Sequence, residues 1–294
     1  MKIGVSSYSY SRLVGSGAMS QKEVIVRTKE LGFDVLEFSK IAVPEGRSLS
    51  DFAQELKAEA DRVGLVIANY TIPADFLGGS GGDLQAEIER VCREVDIAKI
   101  LGVPGMRHDA SAGFPSGDTR GRGFDDALPV LVEGCRAVTE YAAGLGIRTM
   151  VENHGYFCQD SLRVEKLAAA VAHENFGLLV DMGNFICVDE DPGIAVGRLM
   201  PYAVHVHAKD FHLKRGTLPH PGEGWHASRG GNFWRGAIIG HGDVPVVECL
   251  RAMKRVGYDG VLSIEFEGIE DVITGLRIGQ ANLRRFVEQV RADS

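Results

Sequence analysis

The stretch Leu145-Gly146-Ile147-Arg148-Thr149-Met150-Val151-Glu152-Asn153 holds one complete αβ junction. An amphipathic segment, Ala127–Ala143, leads into it, and Gly146 stands where a helix needs a left-handed residue to end. The apolar run Thr149–Asn153 then reads as a buried strand that finishes on a carboxylate. The same apolar-Gly-apolar stop recurs at Leu31-Gly32-Phe33, Val63-Gly64-Leu65, Leu101-Gly102-Val103 and Val256-Gly257-Tyr258, so the unit is repeated along the chain.

Outward from that junction, eight short apolar runs read as strands: Ile3–Ser7, Val35–Phe38, Val66–Tyr70, Gly105–His108, Thr149–Asn153, Phe176–Asp181, Ala203–His207 and Val261–Phe266. Helix-period segments lie between them at Ser20–Leu31, Ser50–Val63, Leu84–Leu101, Ala127–Ala143, Ser161–Ala172 and Pro245–Val256, with Ile273–Val290 after the last. Alternation of this kind predicts a parallel sheet covered by helices, and eight strands close it into a single (β/α)₈ TIM barrel. The chain has 294 residues and no linker of changed composition, so residues 1–294 are expected to form one domain. Such barrels commonly need ~250 residues. The long segments Ile72–Asp83, Asp109–Phe124 and Phe211–Gly242 follow strands three, four and seven, on the face where barrels carry their chemistry.

The formal net charge is −8 and the Lys and Arg residues are scattered, which argues against a nucleic-acid partner. Cys92, Cys135, Cys158, Cys187 and Cys249 lie far apart and include no C-x-x-C pair, as expected in a reducing compartment. The first residues lack the apolar core of a signal peptide, and no stretch reaches the ~18 apolar residues of a membrane span. The expectation is a cytoplasmic protein without a membrane partner.

Four ionisable residues end the last four strands: Glu152, Asp181, His207 and Glu265. Barrel closure carries strand ends that are distant in sequence to one mouth. Three carboxylates and an imidazole gathered there predict one divalent metal ion, because a cation offsets the desolvation each group would suffer alone. Oxygen-rich ligation with one nitrogen suits Mn²⁺ first, with Mg²⁺, Co²⁺ and Zn²⁺ as alternatives.

The motifs Val151-Glu152-Asn153-His154-Gly155, Val180-Asp181-Met182-Gly183-Asn184, His205-Val206-His207-Ala208-Lys209-Asp210 and Gly240-His241-Gly242-Asp243, with Gly257 through Glu265, occur in order over nearly the whole chain. In these the sequence resembles the xylose isomerase-like barrels, a group of sugar isomerases, sugar epimerases and keto-inositol dehydratases. The resemblance implies that Glu152, Asp181, His207 and Glu265 are metal ligands and that Glu152 and Glu265 transfer protons. It matches Arg235 to a substrate-contacting arginine of sugar epimerases. Asn184 stands where many relatives carry histidine, and Cys158 where some ketose epimerases carry a second acid. Homo-oligomers of two or four chains, frequent among relatives of this type, are implied as well.

A divalent ion holding a carbonyl and its neighbouring hydroxyl stabilises the enediolate formed on proton loss. Reprotonation on the opposite face epimerises, and on the adjacent carbon isomerises; expulsion of a β-hydroxyl from a keto-inositol or 3-keto-sugar would instead make the protein a lyase. The expected substrate is a small carbohydrate. The remaining candidates for binding it are His154, Asn184, Lys209, Glu37, His108 and Trp225. His205 reads more readily as a core histidine below the metal. Glu37 either meets a hydroxyl or braces the barrel. Both tryptophans fall in Phe211–Gly242, where a lid over a polar molecule and an oligomer contact are alternative readings. Two further readings of the barrel remain. An abasic-DNA endonuclease is disfavoured by the charge, and a non-enzymatic sugar binder is disfavoured by the complete ligand set.

Overall fold

The computed structural model describes residues 1–118 and 120–293. Its strands are β1 (Lys2–Ser6), β2 (Val35–Phe38), β3 (Val66–Ile72), β4 (Gly105–His108), β5 (Arg148–Glu152), β6 (Phe176–Asp181), β7 (Ala203–Ala208), β8 (Asp210–Lys214), β9 (His226–Ala227), β10 (Phe233–Ala237) and β11 (Val261–Ile264). Eight of these, in the order β1-β11-β7-β6-β5-β4-β3-β2, close into a parallel barrel with every expected strand in place. The helices are α1 (Ser11–Gly15), α2 (Gln21–Glu30), α3 (Leu49–Val63), α4 (Leu84–Leu101), α5 (Phe124–Leu145), α6 (Ser161–Val171), α7 (Pro192–Leu199), α8 (Val246–Arg255) and α9 (Val272–Ala292). None among the described residues is long and apolar enough to cross a membrane.

Local chemistry sets the helix ends. Ser20, Ser48, Asp83, Asp160, Asp191 and Asp271 accept first-turn amides as N-caps. The five glycine stops all adopt the left-handed conformation, with φ between 67° and 79°. Helix α6 instead stops on Ala172 at φ 46°, where the sequence offered no glycine to mark it. Helix α7 was not expected: at eight residues, with Gly193 and Gly197 inside it, its periodicity is too dilute to read.

Phe211–Gly242, expected only as a long segment after strand seven, carries strands of its own. Strands β8, β10 and β9 form a separate antiparallel sheet, pairing Phe233 with Lys214 through Ala237 with Asp210. The buried Asp210 carboxylate fixes its base by accepting the amides of Gly240, Gly242 and Val244 at 2.8–3.1 Å. Gly236 bridges to Gly268 beyond β11, and a Cβ there would meet the Glu267 carbonyl carbon at 2.4 Å. Because that obstacle is backbone, Gly236→Ala is expected to cost about 1–3 kcal/mol and to displace Glu267 at the mouth. Thermal melts check the stability loss; an unchanged melting temperature would show that the two segments separate freely.

Candidate metal centre and mouth cavity

Inside the barrel, polar side chains form two levels. In the lower one Glu37, Asn69, His205 and Ser263 are buried and joined: Asn69 Nδ2 donates to Glu37 Oε2 at 3.0 Å, and His205 Nε2 lies 2.9 Å from the same oxygen and 3.0 Å from Ser263 Oγ. Glu37 Oε1 takes His207 Nε2 at 2.7 Å. Glu37 therefore braces the floor with both oxygens engaged, and it does not reach the cavity above.

In the upper level the four strand-end residues converge, one ligand atom from each lying within 4.8 Å of the others. His207 Nδ1 is 3.5 Å from Glu152 Oε1, 3.6 Å from Asp181 Oδ2 and 3.8 Å from Glu265 Oε2. These separations are too long for hydrogen bonds. Two donors that each lie ~2.1 Å from one cation stand roughly 3–3.6 Å apart, depending on the angle between them. His207 Nδ1 is buried with no hydrogen-bond partner, and Asp181 Oδ2, buried beside it, has the Lys209 ammonium at 3.2 Å but no hydrogen bond, so the space between them suits a further ligand. The four residues thus fit a divalent ion.

Each donor is held in place. Asp181 Oδ1 accepts the amides of Gly183 (2.8 Å) and Asn184 (2.9 Å), which turns Oδ2 inward. Asn153 pairs with the Asp181 backbone in both directions. Asn184 Nδ2 donates to Glu152 Oε1 at 3.1 Å and its Oδ1 accepts Lys209 Nζ at 3.3 Å, so this asparagine ties the centre to its neighbouring cation. The buried Lys209 ammonium bonds Glu265 closely and stands 3.2 Å from both Asp181 Oδ2 and Glu267 Oε1. Burial opposes the charge on Lys209, but those carboxylates outweigh it and raise its pKa well above the ordinary value.

Arg107 was not anticipated. Its Nη2 is 2.5 Å from Glu152 Oε2 and 2.8 Å from Asp109 Oδ1. Burial favours protonated Glu152, yet the guanidinium wins and holds this carboxyl well below its usual range. For Glu265 burial prevails and the pKa rises, with Lys209 opposing. One pair of carboxyls is thereby driven in opposite directions by its surroundings.

A cavity of about 230 Å³ lies above this level, walled by Tyr8, Lys40, Thr71, Arg107, His154 and Glu267 and floored by Glu152 and Glu265. His154 is half exposed there, its Nδ1 2.9 Å from Asp109 Oδ1; that carboxylate raises the imidazole pKa against the desolvation of the ring. Tyr8, Arg107, Asp109 and Glu267 escaped the sequence reading. Glu267 had a signal, since it follows Glu265 by two residues.

Three expected substrate contacts lie elsewhere. His108 follows Arg107 by one residue and so faces the helix layer, fully buried with its ring edge-on to Phe76 and Nδ1 donating to the Asp109 carbonyl at 2.8 Å. Arg235, on β10, pairs with Glu270 at 3.4 Å and stands 5.9 Å over the Trp225 ring, so both residues belong to the β8-β10-β9 rim outside the cavity. The reason is the sheet itself, which commits these side chains to one another. Cys158 is buried and its thiol is pushed up to about 12 by burial, so it does not replace an acid.

Burial lowers the His108 pKa to about 4 from 6.5. The unfolded imidazole takes a proton below 6.5 and the folded one resists it until about 4. The stability due to the neutral ring is therefore complete above pH 6.5 and lost as the pH falls toward 4, up to roughly 3 kcal/mol. Melting curves from pH 7 to 4 should fall less steeply for His108→Gln than for the parent; parallel curves would refute this.

A closed (β/α)₈ barrel with an acidic and histidine cluster at the C-terminal ends of its strands defines a class of barrel proteins whose ligand site lies at that mouth. Within that class the chain belongs to the xylose isomerase-like TIM barrel family, whose model matches residues 25–286. An uncharacterized protein of Methanocaldococcus jannaschii is 24% identical over 176 residues, 57% of this chain and 50% of that one, so the chain spans half the length of that relative. Among solved structures, an L-ribulose 3-epimerase superposes with a TM-score of 0.73 at 17% identity, covering 99% of this chain and 95% of its own. A 3-keto-D-glucoside 4-epimerase from E. coli gives 0.70 at 16%, covering 97% and 99%. A xylose isomerase domain protein from Planctomyces limnophilus gives 0.68 at 18%, covering 91% and 92%. At these identities the likeness is one of fold.

Proposed function

We propose that the protein is a divalent-metal-dependent sugar epimerase or isomerase in which Glu152 and Glu265 carry the proton. The observation that carries this reading is the convergence of four ligand atoms, from Glu152, Asp181, His207 and Glu265, within 4.8 Å of one another, His207 Nδ1 among them buried and without a hydrogen-bond partner. The sugar epimerases among the similar folds support a carbohydrate substrate.

Glu152, Asp181, His207 and Glu265 would hold the ion, Mn²⁺ best matching three carboxylates and one imidazole. When bound, the ion supplies Lewis acidity that makes a proton beside a sugar carbonyl labile. Glu152 accepts a proton as a carboxylate oriented by Arg107 and Asn184, and Glu265, beside a Lys209 that stays protonated, exchanges one with the sugar. Tyr8, Lys40 and His154 offer donors to sugar hydroxyls along the cavity wall. Among them His154 is held by Asp109.

Elemental analysis of the purified protein, beside solvent-deuterium exchange into keto-sugars, tests the proposal. About one Mn, Co, Mg or Zn per chain, with exchange abolished by a chelator and restored by Mn²⁺, is the expected result. Loss of water from the product would assign the protein to the lyases. Exchange that survives chelation, or no metal bound after loading with excess, would overturn metal-dependent proton transfer.

A further inference from the structure

The cavity over the metal centre is small, and it does not end at its own wall. Pro73, Asp109 and His154 line it and also line a second cavity of about 560 Å³, which continues outward between the segments that follow β3 and β4. At about 230 Å³ the inner cavity falls below the ~300–1,000 Å³ usual for small-molecule sites, and the groove brings the combined space into that range.

The groove is preformed. Phe76 N donates to the Ala110 carbonyl at 2.9 Å and Ser111 Oγ to Asp75 Oδ1 at 2.6 Å, which ties its two sides together. Away from His154, which stands at the junction with the inner cavity, its polar groups are already spent on one another. Glu87 accepts Asp75 N, Ser80 Oγ and the Arg90 guanidinium, and Arg90 also donates to the Pro73 carbonyl at 2.8 Å. What remains toward the open space is the hydrocarbon of Pro73, Ala74 and Ala112 and the backbone of Gly155. Among the described residues its cations are paired, Arg90 with Glu87 and His154 with Asp109, so a phosphate would find none free, and beyond His154 a second sugar ring would find few partners for its hydroxyls.

We infer that this groove is a subsite for an apolar aglycone, so that the substrate is a glycoside of a keto-sugar rather than a free monosaccharide. The inference rests on the sugar reading above and narrows its substrate class. The sugar ring sits over Glu152 and Glu265, and the substituent passes His154 and Asp109 into the groove.

Solvent-deuterium exchange of the Mn²⁺-loaded protein is to be compared on D-fructose, methyl 3-keto-β-D-glucoside and phenyl 3-keto-β-D-glucoside. The phenyl glycoside should show kcat/KM about tenfold or more above the methyl one, through KM, as expected for burying much of an aryl ring. Ala112→Trp fills the groove from an exposed position that packing does not restrict. Its ratio of phenyl to methyl kcat/KM should fall to about one. If both glycosides exchange equally in the parent, or if Ala112→Trp leaves the ratio unchanged, the groove is not a subsite and the sugar reading stands alone. If none of the three exchanges while metal is bound, the sugar reading itself fails and the subsite with it.

Discussion

Glu152→Gln is expected to lower deuterium exchange by roughly 10³-fold or more, because it removes a metal-facing oxygen and a proton acceptor together. The amide is isosteric, so the packing of β5 survives. Arg107, which shares its charge between Glu152 and Asp109, keeps Asp109 at 2.8 Å. The fold should therefore persist, at a cost of about 1–3 kcal/mol for the weakened buried pair. Elemental analysis should find the ion reduced, and absent in the Glu152→Gln, Glu265→Gln double variant. Should the single variant retain metal and more than a tenth of the parent's exchange, Glu152 would be only a brace for Arg107, and the proton acceptor would have to be sought among Glu265 and Glu267.

The second large effect lies below the site, at Glu37. Removing this carboxylate with Glu37→Leu leaves His205, His207 and Asn69 without the acceptor they share, and a loss of about 3–5 kcal/mol follows from unpairing buried groups. Glu37→Gln is the more informative change. Oxygen Oε2 receives two donors, His205 and Asn69, whereas Oε1 receives His207 alone. The amide will turn its oxygen toward the pair and its NH₂ toward His207. That forces His207 Nε2 to accept, moves the proton to Nδ1, and blocks the nitrogen that faces the carboxylates. Metal affinity should fall by roughly 10–100-fold with the fold retained, the range for loss of a carboxylate behind a ligating histidine. Titration calorimetry with Mn²⁺ measures it. Binding as tight as the parent's would mean that His207 keeps its tautomer without Glu37.

Much of this site was legible because the relevant information is local. A strand that ends on Glu, Asp or His declares a polar group at a barrel rim, and Glu152, Asp181, His207 and Glu265 are read from four such ends. Asn184 and Lys209, three and two residues beyond Asp181 and His207, travel with them. Arg107 and His108 show where this kind of reading fails. Choosing the last residue of β4 picked the side chain that faces the helices. The register pairs Arg107 with Met150, which shares its face with Glu152, and His108 with Val151. A one-residue change of parity exchanges a buried histidine for the guanidinium that orients Glu152. The resemblance matches Arg235 to a substrate-contacting arginine, and Trp225 stands in a segment read as a lid or an oligomer contact, but antiparallel pairing of β8 with β10 holds Arg235 at the rim against the Trp225 ring.

The sequence by itself determined the αβ repeat, the closure number, the glycine stops and the identity of the four converging residues, since each depends on periodicity or capping within a few positions. Only the tertiary structure decided which groups touch. The lower level under His207, the opposed environments of Glu152 and Glu265, and the groove between the segments after β3 and β4 all join residues tens to more than a hundred positions apart. Their contacts exist because a closed barrel fixes the stagger of all eight strands at once, a constraint that no single strand carries.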